Sequence, residues 1–153
     1  MAREVFRVEG LSDLENVLKE LPKATSRNVL LRTLKKAGQP IANDGEARAP
    51  KLTGGLAQSY TVGTKLSRRQ KKLHKKESDV EVFVGPTPHA KSIQTEFGNS
   101  HQAPEPHLRP AWDSNNRSAL DNIAKDLADE IEKARARLAR KAEREAAKLR
   151  ANI

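Results

Sequence analysis

The 153-residue chain has no cysteine, one methionine, one tryptophan, one tyrosine and three phenylalanines. Without cysteine there is no disulfide scaffold, no thiol nucleophile and no Cys-based zinc site. This fits a reducing compartment. No apolar run approaches the roughly 18 residues that a membrane span needs, so no membrane partner is expected. The opening residues Met1-Ala2-Arg3-Glu4-Val5 lack the apolar stretch of a signal peptide, and the expectation is a soluble protein made inside the cell. Large apolar side chains are scarce as well. Leu, Ile, Val and Phe together make 32 residues, while 20 of the hydrophobic residues are alanines that bury little area each. The core of one isolated copy should therefore be thin, with subunit contacts as the natural supplement.

Catalytic constellations are also missing. There is no HExxH, no GxSxG elbow and no GxGxxG, and Gly54-Gly55 runs into Leu56-Ala57 rather than into a P-loop lysine. The four histidines, His74, His89, His101 and His107, show no metal-ligand spacing and read as exposed loop residues. Asp121, Asp126, Asp129, Glu130 and Glu132 lie in one helical segment. Only Glu81 and Glu96 fall near strand or loop ends, where a two-metal nuclease would need convergent carboxylates. A solvated face is the better reading of both. The chain is expected not to be an enzyme and to carry no cofactor or metal. Trp112 is expected to pack the start of the last helix on the core.

What the chain has in excess is positive charge. Twenty-nine Lys and Arg against 20 Asp and Glu leave a net +9. Lys65, Arg68, Arg69, Lys71, Lys72, Lys75 and Lys76 form one run without an acidic residue. Residues 133–150 hold eight basic residues against Glu143 and Glu145, so the rest of the chain carries −4. Two basic appendages on a mildly acidic body attract polyanions, either nucleic acid or an acidic protein face. Neither run contains an aromatic residue, so neither offers a stacking platform for single strands, while phosphate tracking along double-stranded DNA needs none.

The element pattern reads β-α-α-β-β-α-α. Val5 to Val8 is a short strand candidate. Ser12 with Glu15 suggests a capping box opening a helix through Leu14, Val17, Leu18 and Leu21. Ser26 is a second candidate cap, for a helix whose apolar positions Leu30, Leu34, Ala37 and Ile41 share one face, kinked at Gly38 and Pro40. A turn-rich loop over 49–56 precedes a strand at 59–64 and another at 80–85. These form an antiparallel hairpin whose long tip, 65–79, is a basic loop. A short helix over 89–97 closes at Gly98. Pro110 suits the first turn of a last helix striped by Leu120, Ile123, Leu127, Ile131, Ala134 and Leu138. The stripe fades beyond Leu138, so that end projects or frays. The expected fold is α+β, a small antiparallel sheet of two to four strands flanked by helices. Residues 1–132 form one domain and residues 133–153 a basic helical tail.

Two segments carry a resemblance. Ala49-Pro50-Lys51-Leu52-Thr53-Gly54-Gly55-Leu56-Ala57-Gln58-Ser59 resembles an A-P-x-x-T-G-x-L-x-x-S motif. Glu96-Phe97-Gly98, followed by Ala103-Pro104 and by Pro106-His107-Leu108-Arg109-Pro110-Ala111, resembles an E-F-G…P-x-P-F-L-R-P-A motif, with His107 where phenylalanine is usual. Both occur in this order, after two helices, in the gene product ten-like tail-component family of long-tailed bacteriophages, and the resemblance spans about residues 10 to 135. It implies a structural subunit of the head-to-tail junction, or neck, of the virion, made in the host cytoplasm. Such a tail-completion protein forms a sixfold or twelvefold ring against connector, tail-terminator or tail-tube proteins. Leu52, Thr53, Gly54, Leu56, Glu96, Phe97, Gly98, Pro106, Leu108, Arg109 and Pro110 would then be candidates for subunit contacts. The seven basic residues from Lys65 to Lys76 would face lumenal DNA. The alternative is a stand-alone nucleic-acid-binding protein acting through 65–76 and 133–150.

Overall fold

Two long antiparallel helices organise the molecule. The computed structural model describes residues 10–89 and 91–152, so the Val5–Val8 strand candidate lies outside the described residues. The elements are α1 (Leu11–Glu20), α2 (Lys23–Arg48), α3 (Gly55–Gln58), β1 (Tyr60–Gly63), α4 (Arg68–Leu73), β2 (Phe83–Pro86), α5 (Ser92–Phe97) and α6 (Leu108–Ala151). This is the expected α+β fold with its long last helix, and its described sheet has two strands.

Helix α1 begins two residues earlier than the Ser12 reading. Its N-cap is Gly10 in the left-handed region (φ 85°), with no side-chain cap, and Glu15 pairs instead with Lys19 at 2.8 Å. Pro22, whose fixed φ suits a helix start, is the N-cap of α2. Ser26 therefore lies inside the first turn, where its hydroxyl donates to the Lys23 carbonyl at 3.1 Å. Helix α2 continues through Gly38 and Pro40 to Arg48.

Antiparallel pairing of α2 with α6 is recorded by a ladder of polar contacts. Arg48 donates to Ser114, Asp44 accepts from Asn115, Lys36 meets Asp126 at 2.9 Å and Arg32 meets Glu130 at 3.0 Å. Between the helices lie small or branched side chains. Val29, Thr33, Ala37, Ile41 and Ala42 of α2 and Ala111, Ala119, Leu127, Ile131 and Ala134 of α6 are all buried. Helix α1 covers one end of this pair, where Leu14, Val17 and Leu18 pack on Leu21, Val29, Leu127, Ile131 and Ala134, with Leu138 at the margin. This is the expected apolar stripe of α6, and every residue described beyond Leu138 is exposed.

The hairpin packs on another face of α2. Strands β1 and β2 are antiparallel, with Tyr60 opposite Pro86 and Val62 opposite Val84. β2 starts three residues later than the Val80–Gly85 pattern indicated. Glu81 explains the shift. Its carboxylate accepts from the Glu77 N–H at 2.9 Å and from the Ser78 N–H at 3.4 Å and binds His74 at 2.8 Å, which makes residues 77–81 a closed turn. Gly38 and Gly45, two turns apart on α2, let the sheet come close. A Cβ on Gly38 would lie 2.8 Å from Val84, and one on Gly45 would lie 2.6 Å from Tyr60 Cζ. Both values are below any ordinary carbon contact.

Candidate functional site

The two motif segments meet around Tyr60, Glu96 and His107. From the first, Ala49, Leu56 and Ala57 are buried with Tyr60 against them. Gly54, at φ 73°, opens the short helix α3. Tyr60 carries this segment to the second motif. Its hydroxyl shares a hydrogen bond with His107 Nδ1, and the two rings meet edge to face at 5.7 Å.

Glu96 holds the same place from the other side. Its Oε2 accepts the backbone N–H groups of His107 at 2.8 Å and Leu108 at 2.9 Å, and its Oε1 accepts that of Arg109 at 2.9 Å. A helix N-terminus leaves its first N–H groups without intrahelical partners, and a carboxylate there also meets the positive end of the helix dipole. Glu96 is thus the cap of α6, supplied from α5. Burial pushes its pKa up, but the three N–H bonds and nearby His107 hold it below the ordinary carboxylate value. Gly98 makes the intervening turn at φ 75°, and a Cβ there would collide with Pro104 N at 2.8 Å. The chain then folds back until the Glu105 N–H donates to the Thr95 carbonyl at 2.8 Å.

Several expectations are corrected here. His107 is not an exposed loop residue but 1% exposed. Burial holds its imidazole pKa below the ordinary value, against the opposing pull of the Glu96 charge 3.6 Å away. Burial and Glu96 likewise push the Tyr60 hydroxyl pKa well up. Glu81 and Glu96, the carboxylates a nuclease would have used, are both engaged by backbone donors rather than solvated. Among the described residues no three His, Asp or Glu side chains are gathered to hold a metal, and no helix is long and apolar enough to cross a membrane. Trp112 is not packed inward, being 54% exposed.

Of the residues singled out for subunit contacts, Leu56 is buried and Glu96 is spent on the α6 cap. Leu52, at 96% exposure, and Phe97, at 75%, face solvent. Thr53, Pro106 and Arg109 are exposed, while Gly54, Leu108 and Pro110 are half-buried. Ile93, which the motifs did not flag, lies one helical turn before Phe97 on α5 and is also exposed. The signal for it was the i, i+4 spacing of two large apolar residues on a short helix.

The basic hairpin tip, expected as a loop, carries a short helix, α4. Ser67 and Gln70 form a reciprocal capping box that starts α4. Ser67-x-x-Gln70 was a readable signal for it. The seven cations from Lys65 to Lys76 are all exposed, and none forms an ion pair among the described residues.

Residues 12–98 match the model of a protein family described as "Bacteriophage HK97-gp10, putative tail-component". The chain belongs to this HK97-gp10-like family. The match contains the whole first motif and ends on Gly98, inside the second. It covers α1 to α5, and α6 with its basic end lies beyond it. The HK97-gp10-like assignment makes the chain a phage tail-component protein, as the two motifs implied. No curated protein and no solved structure matches the chain.

Proposed function

We propose that this tail-component protein is a non-catalytic structural subunit of the head-to-tail junction, completed by copies of itself in a cyclic ring and by the adjoining connector, tail-terminator or tail-tube proteins. The observation that carries this reading is the rigid presentation of apolar side chains. Ile93 and Phe97 point outward from one face of α5 while Glu96, between them, is locked onto α6 by three backbone hydrogen bonds. A preorganised aromatic anchor loses little entropy on docking, and such anchors dominate interface energies. Leu52 adds a second exposed apolar point on a Pro-Gly-rich loop. In a ring these would meet a different patch of the next copy, a heterologous contact whose closure sets the subunit number.

Electron microscopy and light scattering of the purified chain, at concentrations reached in assembly, test the reading. Closed rings, sixfold or twelvefold, are expected, along with loss of ring formation in Phe97→Asp without loss of folding. A chain that stays monomeric at all concentrations and is missing from purified particles would refute it. A second reading, a protein acting alone on nucleic acid, is favoured by the unpaired cations of the hairpin tip. It predicts that Phe97→Asp keeps its role without assembling.

A further inference from the structure

The two basic runs are about sixty residues apart in sequence, but the fold brings them to one end of the molecule. Arg27 and Leu31 of α2 line the same cavity, about 250 Å³, as Lys71, His74 and Lys76 of the hairpin tip. The tip therefore lies beside the N-terminal half of α2. The antiparallel ladder, from Arg48 at Ser114 to Arg32 at Glu130, carries the C-terminal half of α6 toward the same end. Lys23 and Arg27, both exposed and without ion pairs among the described residues, lie at this same end of α2, Arg27 on the face that meets the tip.

The charge on α6 is ordered by face. At 3.6 residues per turn, Lys133, Arg137, Arg140, Lys141, Arg144 and Lys148 fall within roughly 100° of arc and extend over about 22 Å. Glu130 and Asp126 occupy the same sector about one and two turns before Lys133 and are consumed by Arg32 and Lys36 of α2. After Glu130 the sector holds no acidic residue. Glu132, Glu143 and Glu145 fall outside it, as do Arg135 and Arg150. Arg137, Arg140, Arg144 and Lys148 form no ion pair among the described residues, while Lys133 and Lys141 pair only within α6, at 3.4 and 3.9 Å.

We infer that the hairpin tip with the start of α2, and this stripe of α6, are cationic surfaces at one end of the molecule that bind the phosphate backbone of double-stranded DNA without reading sequence. The inference deepens the nucleic-acid reading above and rests on it for the ligand class, and it applies equally to a subunit within a ring. The regular spacing of the cations along α6, four of the six without an ion pair among the described residues, matches a polyphosphate, while Leu73, 82% exposed among the tip cations, and Leu149, 69% exposed beside Lys148, are the points an acidic protein partner would use, the alternative that polyglutamate tests. Neither basic run holds a Phe, Tyr or Trp, and Phe83 beside the tip is half-buried against the His74 ring at 5.2 Å, which favours duplex over single strand, because stacking finds little platform while phosphate density is highest on the duplex.

The test is fluorescence anisotropy of the full chain with a labelled random 24-base-pair duplex across a salt series. Binding should fall with a log–log salt slope steeper than about −5, corresponding to some six phosphates at about 0.9 each. Two charge reversals, Arg68→Glu/Arg69→Glu/Lys71→Glu/Lys72→Glu at the tip and Arg137→Glu/Arg140→Glu/Arg144→Glu/Lys148→Glu on the stripe, should each flatten the slope by about 2 or more and weaken binding at least tenfold. Arg150→Glu, off the stripe, should stay within about threefold of the parent. All these side chains are exposed, and circular dichroism checks that the variants fold. Tighter binding to oligo-dT, to polyglutamate or to phosphatidylglycerol vesicles than to the duplex would overturn the inference. So would no binding at low salt or insensitivity to either reversal. None of these outcomes bears on ring formation, which is read separately by microscopy.

Discussion

Removing the Glu96 carboxylate should unfasten α6 from the body of the protein. In Glu96→Ala three backbone N–H groups, those of His107, Leu108 and Arg109, lose an acceptor at 2.8–2.9 Å. The Glu96 side chain is only 10% exposed, so water replaces it poorly. Loss of a helix cap costs about 0.5–2 kcal/mol, and each hydrogen bond to a charged acceptor contributes about 1.5–3. The three donors share one carboxylate and their contributions do not simply add, so the total should be about 3–4 kcal/mol. For a chain of this size that corresponds to a drop in melting temperature on the order of 10 °C. Glu96→Gln keeps one acceptor oxygen and loses the charge, so about half of that penalty is expected. Urea titration monitored by circular dichroism measures both. The pH dependence is a further check. The Glu96 pKa is held below 4.5 in the folded protein, so its contribution is complete above that value and is lost as pH falls below it. The stability gap between the parent and Glu96→Gln should therefore narrow on acidification below pH 4.5. A Glu96→Ala variant within about 0.5 kcal/mol of the parent at pH 7 would refute the capping argument.

The remaining predictions concern the buried neighbours of this site and of α2. His107→Phe removes a group whose pKa is held below 6.5 by burial. The parent loses stability as pH falls from 6.5, because only its unfolded state takes up the proton readily, and the variant should not. Parallel urea midpoints for the two between pH 7.5 and 5.5 would contradict this. Gly45→Ala places a Cβ 2.6 Å from Tyr60 Cζ. Despite the better helix propensity of alanine, it should cost about 1–3 kcal/mol by thermal denaturation, and a stabilised variant would show that the hairpin does not press on α2 here. Thr33 is 2% exposed and its hydroxyl has no partner among the described residues. Thr33→Val should therefore raise stability by about 1 kcal/mol, and a loss of similar size would mean that the hydroxyl is satisfied.

Periodicity was enough to place α1, α2, the hairpin and the apolar stripe of α6, because alternation and the 3.6-residue repeat are local records of which side is buried. The lack of cysteine, the missing catalytic spacings, the two basic runs and the two family motifs were equally plain in the amino-acid order. What the order left undecided is what long-range contact decides. Gly38 looked like an interruption of a helix and is a place where a sheet comes close. Glu96 looked solvated and caps a helix that starts twelve residues later. His107 looked like a loop residue and is the buried link between two motifs. None of these roles leaves a trace in neighbouring positions, since each depends on a partner far along the chain. The same holds for charge. Composition located two basic runs, but only the antiparallel packing of α6 on α2, and of the hairpin beside α2, set them at one end of the molecule, because no local rule relates residues 65–76 to residues 133–148.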